Sequence, residues 1–259
     1  WYYLVMLIIL FIVEQLSASV GAAGGRAAQS GVEQFVDKLV WKDQFLHGFS
    51  FAQLILMLVT LLLGAGSVAN DNRANALLVY LSKPCTKADY LLGKFLGVFI
   101  PLSVVMAVPT ISFFLYGALS LRGEGFLDEP AVLPKMLMVI AICAAFQSSL
   151  VVGVSSLFNQ GRIAGAAYAG IYFLSNFFTK LMQGVIAFSE GRADARVNDL
   201  VYASVDGLQI GLTKAVLRTD GTAPFGIDGR AGTAIVAPPL WAMIFGMIPT
   251  AIAFGEGSE

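Results

Sequence analysis

Charge is scarce in this sequence: Asp, Glu, Lys and Arg make up 13% of its 259 residues, against roughly 25% in an average soluble domain. A water-facing surface around a core of this size needs more than that, so a soluble globular fold is excluded. His47 is the single histidine, and Cys85 and Cys143 are the two cysteines. A histidine cluster or a four-cysteine metal site cannot be built from them, and neither can a disulfide framework. The 16 basic and 17 acidic residues form no dense basic block, which argues against nucleic acid as a partner. The sequence also lacks a G-x-x-x-x-G-K-S/T loop, so no ATP site belongs to this chain. With no triad, paired carboxylate site or metal cluster to be found, it reads as no enzyme and needs no cofactor of its own. No repeat of 20 to 50 residues occurs, and residues 1–259 read as one domain.

What the sequence does have is apolar length. Hydrophobic residues make up 57% of the chain, and the mean hydropathy is +0.77. A helix needs about 20 mostly apolar residues to cross ~30 Å of hydrocarbon. Six stretches qualify, at about 1–20, 49–69, 95–121, 136–158, 163–182 and 236–254. The expected fold is an all-α integral membrane protein with six transmembrane helices. Orientation follows Lys and Arg in short loops. Arg73, Lys83, Lys87 and Lys94 lie between the second and third spans, and Arg162 lies between the fourth and fifth. These two segments are the cytoplasmic candidates, which places both termini in the cytoplasm and the protein in the inner (cytoplasmic) membrane. The long external loop, 190–235, carries Val205, Leu208, Leu212 and Val216 at helical spacing, so an external amphipathic helix at the outer surface is expected before the sixth span.

The segment after the second span is the most informative. From Asn70 to about Leu81 the spacing predicts a helix, with an apolar stripe at Ala74, Leu77, Leu78 and Leu81. Asp71 or Asn72 is placed to cap its start. Pro84 ends it, because proline gives no amide hydrogen and disfavours helix at Lys83. Thr86 with Asp89 three residues on has the form of a capping box that starts the helix of the third span.

The order of these features resembles the type-2 ABC transporter permeases. It consists of a small-residue span end (Gly64, Gly66), a polar helix, the Ser82-Lys83-Pro84 break and the run Tyr90-Leu91-Leu92-Gly93-Lys94. The match in wording covers about 30 residues. The resemblance implies the permease subunit of an ATP-driven exporter, with a cytoplasmic coupling helix at about 70–81 docking into an ATP-binding cassette subunit. Asp71, Arg73, Asn75, Tyr80 and Lys83 are the candidate contacts with that ATPase. ATP and Mg belong to the partner, and a second permease copy or a related permease completes the pathway in the lipid bilayer. The rival is a non-transporting membrane anchor or scaffold subunit of a larger complex.

Within the spans, Glu14 is the one acidic residue inside an apolar run and so a possible intramembrane polar site. An ionisable group there costs about 2.5 kcal/mol or more unless it faces protein, water or a span end. Gly161, Gly165 and Ala169 recur every four residues, a small face that admits a second helix, from this chain or from a second copy.

Overall fold

Apolar runs of this length have no water to bond with in a bilayer, so each backbone amide must be paired within its own segment, and helix results. The computed structural model describes residues 2–22, 41–74, 86–120, 131–190 and 204–219. Among them are seven helices and no strand. We number them α1 (Tyr2–Ala22), α2 (Trp41–Gly64), α3 (Ala69–Arg73), α4 (Lys87–Ser120), α5 (Val132–Ser156), α6 (Gly161–Glu190) and α7 (Val205–Leu217). Three are long and apolar enough to cross a membrane: α2 with its continuation to Arg73, α4, and α5. The chain is an all-α, multi-pass membrane protein.

The helices α2, α4, α5 and α6 run back and forth beside one another. Phe45 and Phe113 meet at one end of the α2–α4 pair, with ring centroids 5.2 Å apart. At the other end Asp71 reaches Tyr90 and Lys94. Gly64 lets α5 approach closely, since a Cβ there would sit 2.3 Å from Val151 Cγ1. Gly165 does the same for α6, where an added Cβ would lie 3.3 Å from the Ala65 Cβ. The small face of the fifth span, at Gly161 and Gly165, is therefore used within the chain. Leu56, Leu102, Met136, Leu150, Tyr168 and Leu212 fill the interior. Phe51, Leu62, Leu119, Leu174 and Phe177 stay exposed on the outside, a greasy exterior of the kind lipid covers.

Several expectations shift. The second span, placed at 49–69, is observed as a helix over 41–64 followed by a turn at 65–68. Asp43, Gln44 and His47 lie before the uncharged run that defined the expected span. Gln44 instead accepts a hydrogen bond from the Tyr2 hydroxyl at 2.5 Å, and Asp43 accepts one from the Thr219 hydroxyl. With these polar groups satisfied inside the protein, the helix continues through them. The helix of the fifth span runs over 161–190, longer than the expected 163–182.

The helix predicted from Val205, Leu208, Leu212 and Val216 forms as α7, but not as a surface helix with one wet face. Ten of its thirteen residues are buried, among them Gln209, Thr213 and Lys214, because it packs against α2, α5 and α6 together. Ser204 caps it by accepting from the Gly207 amide at 3.0 Å.

The start of the first helix is fastened to the start of the second. The Tyr2 and Tyr3 hydroxyls donate to Gln44 Oε1 and the Phe45 carbonyl, so α1 starts beside the start of α2. The 65–68 turn lies some 20 residues further along α2, about 30 Å. The sixth span, 236–254, most of the coupling segment and the C-terminal end lie outside the described residues.

Candidate functional site

Where α2 ends, its last carbonyls and the first amides of α3 need partners. The sequence suggested a side-chain cap from Asp71 or Asn72, and neither supplies it. The N-cap position is Val68, with no side-chain cap of its own. The cap comes from α5: the fully buried Ser155 hydroxyl accepts from the Val68 amide at 3.1 Å and the Ala69 amide at 3.0 Å. It donates to the Ala65 carbonyl at 2.9 Å. One hydroxyl thus closes both the end of α2 and the start of α3.

Asp71 and Asn72 are used otherwise. Asp71 Oδ2 accepts from the Tyr90 hydroxyl at 2.7 Å and pairs with Lys94 Nζ at 2.8 Å. Partial burial works against the Asp71 charge, and the bonds from Lys94 and Tyr90 outweigh it, holding the carboxyl below its usual range. Asn72 Nδ2 donates to the Ser156 carbonyl at 3.2 Å and the Phe158 carbonyl at 3.4 Å. Asn70 Oδ1 accepts from the Gly161 amide at 3.3 Å. In consecutive order, Asn70, Asp71 and Asn72 tie α3 to the start of α6, to α4 and to the end of α5.

The next helix starts as its sequence implies. Thr86 Oγ1 accepts from the Asp89 amide at 3.2 Å, and Asp89 Oδ2 accepts from the Thr86 amide at 3.1 Å. That reciprocal pair is a capping box with Asp in place of Glu.

Of the predicted ATPase contacts, Asp71 is turned inward onto α4. Arg73 is exposed and lines a cavity of about 530 Å³ with Arg162, Leu61, Leu62, Asn70 and Gln160. Ala74, assigned to the apolar stripe, is exposed. Asn75, Tyr80 and Lys83 lie outside the described residues, and so does the side chain of Glu14, which falls in α1.

The structure adds polar groups that the search for charge inside the spans missed. The Tyr168 hydroxyl donates to Gln147 Oε1 at 2.5 Å between α6 and α5. Asn176 donates to Asp206 Oδ2 at 3.0 Å between α6 and α7, with the buried Tyr172 beside them. Gln53 and Gln209 are buried nearly completely, with no partner for their amide groups among the described residues. The available signal was single uncharged polar residues interrupting apolar helices.

The result is a helical bundle with a polar turn fastened at one end to three of its long helices. The chain matches the family described as ABC-2 family transporter protein over residues 1–255 and belongs to it. No curated protein matches the chain. Family membership makes it a permease subunit of an ABC transporter, a membrane component that in general implies an ATP-binding partner subunit.

Proposed function

We propose that this permease belongs to an ATP-driven exporter of the inner membrane and is coupled to its ATP-binding subunit through the segment that follows α2. ATP and Mg bind in that partner. Six spans, at α1, α2, α4, α5, α6 and 236–254, form one permease unit, and a second copy or a related permease completes the path. The 65–74 turn and the Arg162 turn face the cytoplasm, and α7 enters from the other side. The observation that carries the reading is the fastening of Asn70, Asp71 and Asn72 to α6, α4 and α5. A force applied to this segment reaches the ends of all these helices at once, which a rigid-body switch requires. Asn75, Tyr80 and Lys83 present the docking face, with Arg73 at its edge, while Asp71 positions the segment from within.

Photo-crosslinking tests this. A crosslinking residue at position 80 is expected to trap a P-loop ATPase, and cysteines at 73 and 162 are expected to react only from the cytoplasmic side. Labelling of either cysteine from outside in sealed cells contradicts the orientation. Absence of any ATPase adduct contradicts the coupling and favours a scaffold role.

A further inference from the structure

We propose that the cavity between the α2–α3 turn and the start of α6 binds the phosphate of an anionic phospholipid, held by Arg73 and Arg162. The two guanidinium-bearing residues line one cavity of about 530 Å³. Both are exposed, and neither has an ion pair or hydrogen bond among the described residues. Asp71, the acidic residue nearest in sequence to Arg73, is committed to Lys94 and Tyr90. Two neighbouring cations without a counter-charge invite an anion, and a planar guanidinium grips phosphate oxygens in pairs. Asn70 and Gln160 bring amide groups to the same wall.

The apolar side of the cavity selects among anions. Leu61 and Leu62 line it, and Leu62 is 80% exposed. Ile163, next to Arg162, is 49% exposed. Free phosphate makes no use of such a wall, and an acidic protein surface would leave it uncovered. A phospholipid matches both halves, with its headgroup on the arginines and its acyl chain along α2 and α6. The cavity also lies at the end of a helix apolar enough to span a membrane, the depth at which basic pockets between helices meet lipid headgroups. The proposal needs α2 to cross the bilayer and does not depend on transport direction or ATPase coupling.

Purified parent protein is mixed with phosphatidylglycerol or phosphatidylcholine, and bound lipid is counted by native mass spectrometry. Phosphatidylglycerol is expected to be retained over phosphatidylcholine by roughly tenfold or more, given two arginines at the headgroup level. Arg73→Gln with Arg162→Gln is expected to abolish that preference, and Leu62→Ser to weaken it. Millimolar inorganic phosphate is expected to leave the lipid in place, and its displacement would reassign the cavity to a free anion. Equal retention by parent and double variant overturns the proposal. So does loss of the ATP-binding subunit from the double variant with lipid retention unchanged, which hands the arginines to a protein surface. If the double variant does not fold, the parent decides alone, because no preference for the anionic lipid refutes the site.

Discussion

The Ser155 hydroxyl, near the end of α5, accepts the backbone amide of Ala69 at 3.0 Å across 86 residues of sequence. With the Val68 amide and the Ala65 carbonyl on the same oxygen, it replaces the cap that α3 lacks. Ser155→Ala leaves two buried donors and one acceptor without this partner, each worth about 1–3 kcal/mol when unpaired. The expected loss is about 3 kcal/mol or more in total, read as a lower unfolding temperature in detergent. An unchanged transition would show that the turn is held by its other contacts.

Gly165 gives a second prediction. A Cβ at this position meets Ala65 at 3.3 Å, a gap that a shift of a few tenths of an ångström can absorb. Gly165→Ala is expected to change little. Gly165→Leu forces α6 away from α2 and costs about 1–3 kcal/mol by overpacking. The contact lies within the chain, so oligomer size by light scattering is expected to stay constant while stability falls. A change in oligomer size with stability intact would place a second copy on this face.

The Asp71–Lys94 pair has a defined pH response. The Asp71 carboxyl is held below its usual range, so its contribution is complete above the unfolded value near 4 and fades as pH falls through the lower folded value. Between about pH 5 and 8 the pair therefore adds no pH dependence. Asp71→Asn is expected to lower stability by a constant amount over that window, on the order of 1 kcal/mol for a partly exposed pair. Its curve converges with the parent's in stronger acid. A difference that grows between pH 6 and 8 would assign the effect to another group.

Local signals were legible in the sequence, and long-range ones were not. Thr86 and Asp89 announced their capping box because both partners lie within one turn. Val205, Leu208, Leu212 and Val216 announced α7 by period alone. The burial of its polar side, at Gln209 and Lys214, depends on three other helices and left no mark on the period. The start of α2 at Asp43 and Gln44 was missed for the same reason, because Thr219 and Tyr2, which satisfy them, are remote in sequence. At the candidate site, Asp71 and Arg73 were found as residues, and Asn70 was not. The division of Asp71 as an inward tie from Arg73 as a cavity-lining cation required the packing of α4, α5 and α6.

In the proposed mechanism an ATP-binding subunit drives this permease through the segment after α2. Tyr80→Ala with Lys83→Glu is the direct test, because both residues precede the Thr86 cap of α4 and neither belongs to a proposed span. ATP turnover by the purified complex, and the amount of ATP-binding subunit that copurifies, are measured for parent and variant in the same membrane preparation. Normal insertion is expected, with copurified ATPase or its turnover reduced by tenfold or more, as when a charge is reversed against a docked partner at a cost of about 2–5 kcal/mol. A variant that retains the ATPase and its turnover at the parent's level would contradict it.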